Sequence, residues 1–198
     1  METKIEKSKL ICTNVLNQKA FDILQQQLTS DRFPWFYNDH VVDTKDMMTD
    51  TKYQVQFVHW FHQNSTVITS HENWQMLFPI FEILQPYSFI RVKANNIPGN
   101  DSQVSHGFHT DTTVPLSWTA IYYVNTNNGY TEFEDGTKID SVANSMIVFP
   151  SNKKHSGSTC TDKRSRININ INFMTDNTNK LVKDIWPEEF KKIVETWI

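Results

Sequence analysis

Cysteine is scarce in this chain. Cys12 and Cys160 are its only two, far apart and without a CxxC spacing, which excludes a disulfide framework and a zinc ribbon. Basic charge is not in excess either. A formal net charge of −3 and a pI near 6.1, with no basic stripe or tail, argue against a nucleic-acid or anionic-membrane binder. The basic spots at Lys153-Lys154, Lys163-Arg164 and Arg166 are short. No stretch approaches the ~20 apolar residues that a membrane-spanning helix needs. Residues Met1 to Lys9 are charged and lack an apolar h-region, so no secretory leader is expected. A P-loop and a nucleophile elbow are also missing. These absences leave a cytoplasmic, membrane-free protein of a reducing compartment as the expectation.

Apolar and aromatic side chains are plentiful, at 38% and 13%. With 198 residues that is enough for one domain with a sizeable core, and the expectation is a single domain spanning 1–198. Glycine is rare, and all five (Gly99, Gly107, Gly129, Gly136, Gly157) fall between positions 99 and 157, marking a turn-dense region. Short strand-like runs surround them: Trp118 to Val124, Ser145 to Phe149, and the strict alternation from Arg166 to Phe173, which reads as a half-buried strand. Short strands at turn-punctuated intervals suggest a barrel, sandwich or jelly roll.

The N-terminal half is more helical. Asn17 is placed to cap a helix to about Leu28 with Phe21, Leu24 and Leu28 on one face. A second helix is expected over Glu72 to Gln85, kinked or restarted at Pro79. Tyr53 to Phe61 is strand-like, and Asp39 to Asp50 reads as a polar loop which, with the segment Phe33 to Tyr37, is expected to form a lid or wall. At the C-terminus Phe190, Ile193, Val194 and Trp197 make an apolar stripe, expected as a docked helix. Monomer and homodimer both remain open.

His109-Thr110-Asp111 is the chain's one His-x-Asp, and on a strand both side chains would face one ion. Alone the triplet is weak. His155, following the strand that ends at Pro150, supplies a third ligand, and two imidazoles with one carboxylate on one face of a metal form the facial triad of iron(II) oxygenases. Such a site fits 2-oxoglutarate, whose distal carboxylate needs a buried cation. A guanidinium pairs with carboxylate bidentately. Arg164 and Arg166 both stand near the next strand. Arg166 opens the alternation whose Asn168, Asn170 and Asn172 share its face, a polar set suited to a co-substrate pocket, whereas Arg164 sits in a turn. Tyr123 offers a hydroxyl to the same carboxylate.

Here the residues resemble a known family. His109-x-Asp111, Ile121-Tyr122-Tyr123-Val124-Asn125, Tyr130-Thr131-Glu132-Phe133 with Asp135-Gly136, Val148-Phe149-Pro150-Ser151, His155 and Arg166 look like the iron(II)/2-oxoglutarate oxygenase superfamily. The branch is the prolyl-hydroxylase-like one, with its small bacterial and viral members, and the likeness covers roughly 87–173. It implies a mainly β (α+β) double-stranded β-helix, a jelly-roll or cupin-like barrel, buttressed by N-terminal helices and a C-terminal helix. It implies His109, Asp111 and His155 as iron ligands, and Arg166 and Tyr123 on 2-oxoglutarate. The implied cofactors are Fe(II), 2-oxoglutarate and O₂, with ascorbate a candidate reductant. The implied reaction is hydroxylation of an amino-acid or peptidyl (for example prolyl) substrate, releasing succinate and CO₂. A nucleic-acid-repair role would call for an arginine six residues after Arg166, where Asn172 stands. The competing classes are a non-catalytic cupin-like metal- or ligand-binding module and a zinc hydrolase using the same ligands.

Other histidines read as structural. His59 and His62, spaced i and i+3 among strand-like residues, would face opposite sides. His106 is a candidate substrate contact. Arg91, Lys93 and Asn95 alternate along a strand, as a solvated face or as part of a pocket wall.

Overall fold

A computed structural model of the protein describes residues 1–42 and 54–188. The chain opens with a hairpin, β1 (Glu2–Glu6) and β2 (Lys9–Thr13). Its two-residue turn, Lys7-Ser8, has φ of 45° and 64°, the left-handed pair that a type I′ turn requires. Helix α1 (Gln18–Thr29) follows, with the Asn17 side chain accepting from the Ala20 N–H at 3.0 Å, and with Phe21, Leu24 and Leu28 buried. Such a cap contributes about 1 kcal/mol. Next come β3 (Phe36–Asn38), β4 (Gln56–Gln63) and β5 (Thr66–Val67).

The helix expected over 72–85 is two: α2 (His71–Gln75) and α3 (Phe78–Leu84), with Pro79 in the first turn of α3. Proline lacks an N–H but needs none there, so it restarts the helix rather than kinking it. The remaining strands are β6 (Ser88–Pro98), β7 (Ser117–Tyr123), β8 (Asn127–Phe133), β9 (Lys138–Ser141), β10 (Ser145–Pro150), β11 (His155–Gly157) and β12 (Ser165–Met174).

All pairings are antiparallel. The large sheet runs β1-β2-β10-β7-β12-β6-β4-β3, with β5 on β4, and the small one runs β11-β8-β9. Two isolated bridges, Ser105 to Ser158 and His109 to His155, give the small sheet a ragged fourth edge. Between the sheets lies a cluster of Ile121, Tyr123, Phe133, Ile139, Ile147 and Phe149. The other face of the large sheet packs Ile167, Ile169 and Ile171 with Leu24, Leu28, Ile80 and Leu84 of the helices. Each such aliphatic side chain is worth ~1.5–3 kcal/mol on burial. This is the double-stranded β-helix buttressed by N-terminal helices.

One strand differs from its expected character. β12 is buried on both faces from Arg166 to Phe173, not half-buried. Its polar face meets the segment around Asp111, where the side-chain amides of Asn170 and Asn172 donate to the carboxylate. Past β12 a 3₁₀ turn (Lys183–Ile185) leads to Trp186, whose ring lies 5.1 Å from that of Trp118. The stripe Phe190, Ile193, Val194 and Trp197 lies outside the described residues, as does 43–50 of the expected polar loop. Among the described residues no helix is long and apolar enough to cross a membrane.

Candidate metal centre

His109, Asp111 and His155 converge. His109 and Asp111 lie outside the named strands, in the loop that carries Gly107. That loop donates from the His106 N–H to the Gly157 carbonyl at 3.0 Å, and it bridges β11 where the backbone N–H groups of His109 and His155 each donate to the other's carbonyl at 3.0 Å. That reciprocal pair sets the two imidazoles side by side, with ring centroids 4.8 Å apart. Each Nδ1 lies 3.2 Å from a backbone carbonyl, Gly107 for His109 and Lys153 for His155. A carbonyl only accepts, so Nδ1 carries the hydrogen and Nε2 keeps its lone pair, as a metal ligand needs. The Nε2 atoms lie 3.8 Å (His109) and 3.6 Å (His155) from the Asp111 carboxylate oxygens. All three ligand atoms fall within 4.8 Å of one another. Bonds of about 2.0–2.2 Å set adjacent ligand atoms about 3 Å apart, so a small shift closes the set on one ion.

The carboxylate is held from both sides. Arg91 Nη2 donates to Asp111 Oδ1 at 2.6 Å, and the Nδ2 groups of Asn170 and Asn172 donate to Oδ2 at 2.8 and 3.2 Å. Arg91 is itself fixed by Asn172 Oδ1 at 2.9 Å. Burial alone would raise the Asp111 pKa, but the Arg91 guanidinium, the two imidazoles and Asn170 hold it well below the ordinary carboxylate range. Burial pushes the His155 imidazole down to about 4 against the pull of Asp111. An ionised carboxylate beside a neutral imidazole is a donor set suited to a divalent cation. Strand phase explains the arrangement. Arg91, Lys93 and Asn95 of β6 lie opposite Asn172, Asn170 and Asn168 of β12, so two alternating strands turn polar faces the same way. The sequence left Arg91 between a solvated face and a pocket wall. The structure makes it the counter-ion of Asp111, and two of the three asparagines serve the same carboxylate.

The cavity beside the triad is lined by Lys93, Ile121, Thr131, Gly157, Arg166 and Asn168, among others. Arg166 is only 2% exposed, whereas Arg164 is exposed on the preceding turn. Arg166 Nε donates to Ser141 Oγ at 2.7 Å and Nη2 to Thr131 Oγ1 at 3.0 Å. Among the described residues no carboxylate pairs with it. Gly129 and Gly157 make its berth: a Cβ on Gly129 would stand 2.7 Å from Arg166 Cδ, and one on Gly157 3.3 Å from Nη1. Tyr123 is buried with its ring 5.6 Å below the guanidinium, and its hydroxyl donates to Thr131 Oγ1 at 2.9 Å. It stands behind Thr131 rather than in the cavity lining.

His106 is fully buried, and neither ring nitrogen has a hydrogen-bond partner among the described residues. Burial, then the charges of Arg166 and His109, lower its pKa to about 3. His59 is structural, its ring nitrogens 2.8 Å from the Pro34 carbonyl and 2.7 Å from Thr69 Oγ1. Phe33 is buried against it, while Phe36 and Tyr37 are exposed on the edge strand β3.

No family model and no curated protein sequence matches the chain. Solved structures do. A prolyl-4-hydroxylase from Pseudomonas putida superposes with a TM-score of 0.53 at 14% identity, covering 85% of this chain and 92% of that one. The fold is that of the iron(II)/2-oxoglutarate oxygenases. A Trichoplax adhaerens prolyl hydroxylase, solved with a peptide fragment of the hypoxia inducible factor oxygen degradation domain, gives 0.57 at 13%, covering 88% and 86%. A 2OG-Fe(II) oxygenase family oxidoreductase from Burkholderia pseudomallei gives 0.57 at 10%, covering 86% and 87%.

Proposed function

We propose that the chain is an Fe(II)- and 2-oxoglutarate-dependent dioxygenase that hydroxylates an amino-acid or peptidyl substrate, a prolyl one being the first candidate, and that 1–198 acts as one domain. The observation that carries this reading is Arg166: a buried guanidinium facing the triad's cavity with no anion of its own among the described residues. Burying such a charge is costly without a partner, and a co-substrate carboxylate would be that partner.

In this reading His109, Asp111 and His155 would hold iron(II). Arg91, Asn170 and Asn172 keep Asp111 ionised and oriented. Arg166, steadied by Ser141 and Thr131 with Tyr123 behind, receives the distal carboxylate. The bound iron and 2-oxoglutarate would supply O₂ activation, coupling decarboxylation to succinate and CO₂ with oxidation of a substrate C–H bond. A cupin-like scaffold or a zinc hydrolase has no comparable use for the buried guanidinium.

Anaerobic addition of Fe(II) and 2-oxoglutarate together should produce a weak visible charge-transfer absorption that neither gives alone. It should vanish in His155→Ala. Its absence from the wild-type protein would sink the dioxygenase reading.

A further inference from the structure

Three cationic side chains belong to the shared polar face of β6 and β12: Arg91 and Lys93 on β6 and Arg166 on β12. One carboxylate, Asp111, meets them among the described residues, and Arg91 takes it. In the reading above Arg166 takes the distal carboxylate of the co-substrate. Lys93 is left over. It lines the cavity of the triad, its amine lies 5.2 Å from the Trp60 ring centroid, and no carboxylate among the described residues pairs with it. Burial, with Arg91 nearby, pulls its pKa down to about 7 against the attraction of Asp111, so an anion bound beside it would favour the charged form.

Position separates Lys93 from the co-substrate cation. Lys93 lies opposite Asn170 in the register of β6 on β12, whereas Arg166 lies opposite Ile97. Four residues of strand correspond to about 13 Å, and the two cations also stand on neighbouring strands. Arg166 makes its bonds toward β8 and β9, while Lys93 leans toward Trp60 of β4. One small carboxylate does not reach both. Asn170 lines the same cavity, and its Oδ1 acceptor is buried with no hydrogen-bond partner among the described residues. Its amide orientation is fixed, because the Nδ2 group is committed to Asp111, a pure acceptor. A cation beside an unfilled acceptor matches a ligand bearing a carboxylate next to an N–H group.

We propose that Lys93, beside Trp60, and Asn170 Oδ1 form a subsite for the α-carboxylate and α-nitrogen of the primary substrate, which makes that substrate a free amino acid or a C-terminal residue, not an internal peptide residue. The proposal rests on the dioxygenase reading and narrows its substrate class.

The test uses the full-length protein with Fe(II) and 2-oxoglutarate under anaerobic conditions. Brief acetylation with an N-hydroxysuccinimide ester is read at Lys93 by peptide mass spectrometry as a ratio to the exposed Lys19, which cancels the reagent consumed by the added amines. The additions are a mixture of the twenty common L-amino acids or the matching mixture of their carboxamides. The acids should slow labelling of Lys93 by about tenfold, as a charge-assisted hydrogen bond implies, and the carboxamides by less than about twofold. Equal protection by both mixtures, or by neither, overturns the assignment. In Lys93→Met the amino acids should no longer perturb the charge-transfer band, while the 2-oxoglutarate midpoint stays within about threefold of wild type. A midpoint raised by about tenfold or more would give Lys93 to the co-substrate instead and overturn the proposal. A wild-type protein without the band fails the dioxygenase reading itself. A wild-type protein with the band but unprotected at Lys93 fails only the subsite.

Discussion

Arg164 and Arg166 are two residues apart and chemically identical, yet one is exposed and the other buried behind the triad. The difference follows from where the β12 ladder begins, at Ser165, so that Arg164 still belongs to the turn. Arg166→Ala should therefore raise the KM for 2-oxoglutarate by at least about tenfold, the loss of a charge-assisted bond in a buried site. Arg164→Ala should change it by less than about threefold, as for a solvated charge. Succinate formation against 2-oxoglutarate concentration reads both, and the reverse ranking would sink the register of the site. The sequence offered this pair because alternation is visible in the letters. It did not offer the role of Arg91. A polar residue on a strand face looks the same whether water or a buried carboxylate lies opposite, and Asp111 is brought there by a fold-back of the chain that no local pattern encodes. His106 is a similar case, since burial without a partner is a property of the surroundings.

Among elements, those with strong periodicity were legible: α1 with its Asn17 cap, β7, β10 and above all β12. The N-terminal hairpin was not, because its turn is Lys7-Ser8 and lacks the Asn-Gly or Asp-Gly signature of positive φ. The metal-bearing loop is tied to β11 and the residues after it by two isolated bridges and by bonds such as Gly107 N–H to Ser156 Oγ, pairings that no local pattern announces. Strand β8 carries a glycine in its middle, and Gly129 is there for what passes beside it. A methyl group at that position would meet Arg166 Cδ at 2.7 Å, Asn127 Oδ1 at 2.8 Å and the Thr159 carbonyl at 3.2 Å. Gly129→Ala should thus leave the far-ultraviolet circular dichroism close to wild type while weakening 2-oxoglutarate binding by roughly tenfold, the same order as losing the Arg166 contact. An unchanged midpoint in the anaerobic titration would show that the arginine's berth tolerates a methyl group.

For the whole molecule, buried histidines tie stability to pH. Burial lowers the pKa of His59 and His62, takes His155 to about 4, and takes His106 to about 3, all from an ordinary value of 6.5. The unfolded chain binds protons on these groups as pH falls through 6.5, but the folded chain does not, so protons favour unfolding. Their contribution is complete above about pH 6.5 and is lost progressively down to about 3–4. The Tm of the metal-free protein should fall steadily across that window. His106→Leu, which removes a buried imidazole with no partner among the described residues, should flatten the slope across the whole window, from about 6.5 down to about 3. An unaltered slope in that variant would mean that His106 is not among the groups responsible.

β12 divides its work by parity. Its odd residues, Ile167, Ile169 and Ile171, belong to the helix-covered core, and its even residues, Arg166, Asn168, Asn170 and Asn172, belong to the site. A slip of one residue would exchange the two sets, driving a guanidinium and three amides into the hydrocarbon layer and presenting isoleucine to the metal ligands. Each misplaced polar group would cost about 1–3 kcal/mol, several times over in a single error. The residues that equip the cavity for chemistry thus also act as a proofreading code for the strand, penalising any misthreaded copy of the barrel.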